Sequence, residues 1–263
     1  MLHRQDPTGL IVITQPTHAW VAGCLARAWG NQQFGSFSPK QEVCLGAQQH
    51  DIGWLMWENS PTLNPNTGYP HSFMEVPTEV HVNIWSGAKQ FILPFGRYAA
   101  LLVSLHGTGL YERFRSWQNS PNSSQELVQE YLTQEKIFQQ KLTTNLLDDP
   151  YYAPYATAEV IERNRSLVAV WDSLSLALCM GVRNQQHFDR VPTASGETTL
   201  TITPVNHDMT QIEVTPWCFQ QAEVKLVYEG RLLEEQFTDE TKMRTALESA
   251  KWVTISTILS PSR

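Results

Sequence analysis

The chain has 263 residues, 41% hydrophobic and 17% charged, with a formal net charge of -7. That length holds one large domain, or one domain and a small appendage, with a core that needs no staples. The acidic balance excludes a long nucleic-acid partner, which clustered Lys and Arg would have to attract, and leaves small ligands.

After a short apolar lead from Leu10 to Ile13, the spacing predicts a helix from about Thr14 to Gly30, with Thr14 as N-cap and Pro16 tolerated in the first turn. His18, Val21, Ala22, Leu25 and Trp29 repeat at the interval of a buried stripe, so an imidazole lies on the core side. Ser38-Pro39-Lys40-Gln41 opens a second helix that runs through Val43 and Ala47 to His50-Asp51 and stops at Gly53. Asn59 to Pro77 follows, with Pro61, Pro65, Pro70 and Pro77, and with Tyr69, His71, Phe73 and Met74 as surface to pack. A structureless stretch of that length inside a compact domain suits a lid, and 59–77 reads as one over the site.

A third helix, about Thr78 to Leu93, carries His81, Ile84, Trp85, Ala88 and Phe91 on one face. The fourth, about Gly96 to Tyr111, carries Ala99, Leu102, Val103, His106 and Leu110 and is expected to fray through Gly107-Thr108-Gly109. Ser123-Ser124-Gln125-Glu126 begins a helix to about Leu147 that shows no chemistry of its own. A long helix from Thr157 to about Met180 then sets Asp172 in the same stripe as Ile161, Val168, Ser175, Leu176 and Cys179, where an unpaired carboxylate would be costly. Beyond Gly181, Thr199 to Val205, Gln211 to Cys218, Glu223 to Tyr228 and Trp252 to Leu259 read as strands, with a short helix near Asp239 to Ala250. The expected fold is mainly α: a helical bundle over 1–181 with a small antiparallel β extension over 182–263.

Cys24, Cys44, Cys179 and Cys218 lie far apart without Cys-x-x-Cys spacing, so reduced thiols are expected rather than disulfides or zinc clusters. Met1 to Pro7 holds no apolar run fit for a signal, and no stretch approaches the ~20 apolar residues of a membrane span. The chain therefore reads as cytoplasmic, with no membrane partner.

Five helices each turn a metal-compatible group inward: His18, His50 with Asp51, His81, His106, and Asp172. Singly, a histidine on an apolar face is more often a hydrogen-bonded core residue than a ligand, and Asp172 could pair with an Arg such as Arg165. Jointly they favour a metal, because each buried polar group needs a partner and one or two divalent ions satisfy all six at once. Mixed His and carboxylate ligation suits Fe, Mn, Ni, Co or Zn better than Mg alone.

In this order the residues resemble the HD-domain superfamily: Gln15-Pro16-Thr17-His18, Gln49-His50-Asp51-Ile52-Gly53-Trp54, Glu79-Val80-His81, Ser104-Leu105-His106-Gly107 and Trp171-Asp172-Ser173-Leu174. An uncharacterised domain-of-unknown-function branch is more similar still, through the His-Asp-x-Gly-Trp stretch, the stretch from Ser104 to Tyr111, and Pro216-Trp217-Cys218-Phe219. The resemblance implies an HD-type bundle in which His18, His50, Asp51 and Asp172 hold a first metal, while Asp51 bridges to a second held by His81 and His106. It also implies a metal-dependent hydrolase of a small phosphate ester or nucleotide, with metal-activated water as nucleophile. Mixed-valent diiron oxygenases that cleave C–C or C–P bonds share the ligand pattern, and a non-enzymatic module with a structural metal is the third reading.

Other candidates rest on single residues. His71 would serve as substrate contact or general acid, against the plain alternative of an exposed loop histidine. Arg97, Arg113 and Arg115 flank the fourth helix and would grip a phosphate, against ordinary surface charge. Asp51, His71 and Arg97 are thus the expected catalytic residues. Trp54, Trp57 and Trp85 would wall the pocket or pack in the core, and Glu58 would orient a ligand from behind. His207-Asp208 reads as a hairpin turn, and the C-terminal strands would extend the pocket, cover the bundle or mediate a homodimer.

Overall fold

A computed structural model of the protein describes residues 1–262. The chain opens with a hairpin of β1 (Leu2–Asp6) and β2 (Gly9–Ile13), then enters α1 (Gln15–Ala28) and α2 (Lys40–Gln48). The short α3 (Leu55–Glu58), a ribbon of β3 (Leu63–Asn64) and β4 (Tyr69–Pro70), and the helices α4 (Thr78–Ile92), α5 (Arg97–Arg113), α6 (Asn122–Leu147) and α7 (Ala158–Met180) follow. The remainder is β5 (Gln186–Pro192), β6 (Glu197–Val205), β7 (Asp208–Thr215), β8 (Val224–Leu233), α8 (Glu240–Ser249) and β9 (Lys251–Pro261).

The fold is α+β, which corrects the expected mainly α HD-type bundle with an antiparallel appendage. Seven strands form one mixed sheet in the order β1-β2-β8-β9-β7-β6-β5. All neighbours are antiparallel except β7 and β9, which run parallel. The sheet draws on both ends of the chain, because β2 pairs with β8 through Leu10–Leu233, Ile11–Leu232 and Val12–Arg231. β2 is covered on both faces: Ile11 and Ile13 join the main core, whereas Leu10 and Val12 pack with Met1, Leu233 and Leu247. A strand buried on both sides reads as a continuous apolar run rather than an alternation, which is why Leu10 to Ile13 looked like a mere lead into α1.

Helices α1 and α7 pack against this sheet and each other, and α5 packs against α2, α4, α6 and α7. Buried Arg4 of β1 ties the layers, its guanidinium donating to the carbonyls of Leu178 at 3.2 Å and Cys179 at 3.4 Å at the end of α7. The 59–77 segment is less structureless than expected, since it contains the β3–β4 ribbon. It is stitched to Met1 and to the segment between β8 and α8: Phe73 N–H donates to Met1 O, and Phe237 N–H donates to Gly68 O. Among the described residues no helix is long and apolar enough to cross a membrane, and all four cysteines are free thiols.

Candidate metal centre

His18 lies in the first turns of α1, whose start is capped by Thr14 Oγ1 accepting the Thr17 N–H at 3.2 Å. His50 and Asp51 occupy the turn after α2. That helix ends at Gln48, not at Gly53 as the pattern suggested. Leaving the helix matters, because consecutive helical side chains diverge by about 100°, while in this turn both point toward α1 and α7. Gly53 makes room for it: a Cβ there would lie 2.4 Å from the Ile84 carbonyl oxygen of α4. His106 comes from the middle of α5 and Asp172 from the middle of α7, and none of the five is more than 5% exposed.

Their polar atoms meet. His18 Nε2 is 2.6 Å from Asp51 Oδ2 and 3.9 Å from Asp172 Oδ1. His50 Nε2 is 3.6 Å from Asp51 Oδ2 and 3.3 Å from Asp172 Oδ1, and His106 Nε2 is 3.9 Å from Asp172 Oδ2. The groups form two triads that share His50: His18, His50 and Asp51, then His50, His106 and Asp172, each with its donor atoms within 4.8 Å of one another. These buried groups could hold a metal ion.

The outer hydrogen bonds fix which nitrogen faces inward. Ser175 Oγ–H donates to the Asp172 carbonyl at 2.8 Å, so its oxygen accepts the Nδ1–H of His18 at 2.8 Å. His50 Nδ1–H donates to the Ala47 carbonyl at 2.7 Å. Both rings therefore turn Nε2 toward the carboxylates. His50 Nε2, wholly buried, makes no well-directed hydrogen bond, although Asp172 Oδ1 lies 3.3 Å away. A buried nitrogen without such a bond is rare, and one aimed between two carboxylates fits a cation whose double charge they would balance.

Without a metal, His50 takes the positive charge that the two carboxylates call for. Burial alone would depress His50, yet Asp51 and Asp172 outweigh it and lift its pKa to about 9. Burial opposes ionisation of both carboxyls, but the imidazoles, His50 foremost, hold Asp51 and Asp172 below the ordinary carboxylate range. His106 is pushed down to about 4 by burial and then by neighbouring His50, so its ring is neutral near pH 7, as a ligand must be.

The other sequence candidates fall elsewhere. His81 lies outside both triads: its Nε2 accepts the Trp85 indole N–H at 3.1 Å and its Nδ1 meets Tyr111 Oη at 2.7 Å. His71 Nδ1 contacts Thr62 Oγ1 at 3.0 Å within its own segment. Arg97 donates to the Asn145 carbonyl at 2.8 Å and pairs with Asp149. Nine residues of helix, about 13 Å, separate it from His106. Trp85 packs in the core rather than lining the cavity between α5 and α7, its ring centroid 5.6 Å from that of His106, and Trp54 stands against His81 at 5.7 Å. Trp57 packs on Trp54. Glu58 braces the start of α1, accepting the Gln15 N–H at 3.0 Å and pairing with the Met1 ammonium at 3.1 Å. Asn206 and His207, with φ of 51° and 64°, make the expected turn between β6 and β7.

A cavity of about 600 Å³ opens between α5, α7 and the β5–β6 hairpin, and of the five clustered side chains His106 alone lines it. Arg113, Arg165 and Arg190 share that lining with Glu112, Glu162, Asp189 and Glu197. Arg165 pairs with Glu112 and Glu162, not with Asp172. Arg115 instead bonds the Glu112 carbonyl at 3.1 Å, and no residue of 59–77 lines the cavity. Sequence reasoning set Ser175 on the stripe of Asp172, three residues on, but gave it no role. It passed over Arg190, which a β-bulge presents. No curated protein and no solved structure matches the chain. The model of a family described as "Protein of unknown function (DUF3891)" matches residues 1–235, and the chain belongs to that family.

Proposed function

We propose that the protein is a divalent-metal-dependent hydrolase of a small phosphate ester or nucleotide. The observation that carries this is the buried convergence of three imidazoles and two carboxylates, with His50 Nε2 set 3.6 and 3.3 Å from Asp51 and Asp172. His18, His50, Asp51 and Asp172 would hold the ion, in the chain order that resembles HD-type phosphohydrolases. A divalent ion there supplies the Lewis acidity that makes water nucleophilic near neutral pH and draws charge from a phosphoryl oxygen. Iron, manganese, nickel, cobalt and zinc all suit such a nitrogen and oxygen set.

The cavity has the size of a small-molecule site and carries three arginines among four carboxylates. Its volume of about 600 Å³ falls within the ~300–1,000 Å³ of small-molecule sites, and guanidinium groups grip phosphate oxygens in pairs. Glu112 and Glu162 pair with Arg165 in the lining. The test is phosphate release from a panel of monoesters, diesters and nucleotides by protein loaded with Mn, Co or Ni. His50→Ala and Asp172→Asn should each reduce it roughly 10³-fold, because the metal contributes several kcal/mol at about 1.4 kcal/mol per factor of ten. Dioxygen uptake by an iron-loaded form without phosphate release would instead establish the oxygenase. Neither reaction, with no substrate raising the unfolding temperature, would leave a non-enzymatic module.

A further inference from the structure

We propose that the centre takes one divalent cation and that His81 is not among its ligands; this rests on the metal-site reading above and deepens it. A two-cation centre needs ring nitrogens from both His81 and His106 on the second ion. His81 has none to give. The Trp85 indole N–H can only donate, so His81 Nε2 accepts it at 3.1 Å, the ring proton sits on Nδ1, and that N–H is spent on Tyr111 Oη at 2.7 Å.

The clamp is rigid. Trp85 and Tyr111 are buried, and Gly107 lets the indole press onto α5: a Cβ at that position would lie 2.7 Å from Trp85 Cε3 and 2.6 Å from Tyr131 Oη. Turning His81 inward would strand a buried indole N–H. His106 faces the first ion's ligands instead, since its triad shares His50 with the other triad and contains Asp172, and its ring centroid lies 4.6 Å from that of His50. Charge points the same way. Asp51 and Asp172 together balance one dication, and no third carboxylate joins either triad.

The experiment is a Mn²⁺ titration of chelator-treated full-length protein, reading bound ions by equilibrium dialysis and their coupling by electron paramagnetic resonance. The expected result is one equivalent with the hyperfine sextet of an isolated ion, retained in His81→Gln and His81→Asn and lost in His50→Ala. Two equivalents with an exchange-coupled spectrum would overturn the single-ion centre while leaving the metal-site reading intact. Loss of the ion from a folded His81→Gln protein would also overturn it. No uptake by the wild type would sink the metal-site reading itself. Should the His81 variants fail to fold, the wild-type stoichiometry and coupling decide the matter unaided.

Discussion

His18 reaches inward correctly only because Ser175 holds its other nitrogen, through a hydroxyl that is itself anchored on the Asp172 carbonyl. Groups behind a ligand orient it, and removing them typically lowers metal affinity about 10–100-fold. Ser175→Ala should do this in a chelator-competition titration while the far-ultraviolet circular dichroism stays unchanged; equal affinity in the two proteins would remove Ser175 from the site. Acidity offers a second test. With its pKa lifted from 6.5 to about 9 in the fold, His50 contributes stability that is fully present below pH 6.5 and lost as pH rises through about 9. His106, pushed from 6.5 down to about 4, gives the opposite flank: the unfolded chain binds its proton first, so stability falls as pH drops from 6.5 toward 4. Urea midpoints of the metal-free protein should therefore peak near pH 6.5, and saturating metal should flatten the alkaline side by replacing the His50 proton. An alkaline decline that metal leaves untouched would count against His50 as a ligand.

At the scale of elements, the 3.6-residue period told which way a side chain faces but not what it meets there. It placed His18, His106 and Asp172 on core-facing stripes, where the fold has them. It also placed His81 on such a stripe, yet Trp85, one turn later on the same helix, claims it. That His50 and Asp51 act together was expected, but the turn that brings them together was not legible, because it depends on α2 ending at Gln48, where tertiary packing sets the end of the helix. Gly107 misled in the other direction. It suggested fraying, whereas α5 continues to Arg113 and the glycine serves contact with Trp85 and Tyr131. Gly107→Ala sets about 1 kcal/mol of helix propensity against overpacking of about 1–3 kcal/mol. With buried rings on both sides the overpacking should win, and urea unfolding should register a net loss of stability. A more stable variant would show that the helix can shift to accept the methyl.

Across the whole molecule, the sheet escaped sequence reading because its defining pair, β2 with β8, joins Leu10 to Leu233, and no local pattern announces a partner at that separation. β1 adds a polar stretch, His3-Arg4-Gln5-Asp6, whose Arg4 is buried only because α7 ends beside it. β6 through β9, by contrast, were legible from their Thr and Val alternation. The consequence is cooperative. A fragment of residues 1–181 keeps every cluster residue but lacks β8, so the inner edge of β2 and the face of α1 that packs on β8 lose their cover. Such a fragment should give poorly dispersed amide spectra and expose apolar surface to a fluorescent dye, and well-dispersed native-like spectra would instead identify an autonomous helical domain.

The most direct test is an anomalous difference map from crystals of the full-length protein grown with excess Mn²⁺ or Co²⁺. A buried cation site requires a peak among His18 Nε2, His50 Nε2, His106 Nε2 and the Asp51 and Asp172 carboxylates, within coordination distance of at least one triad. Peaks confined to surface carboxylates, with these side chains still bonded to one another, would contradict it.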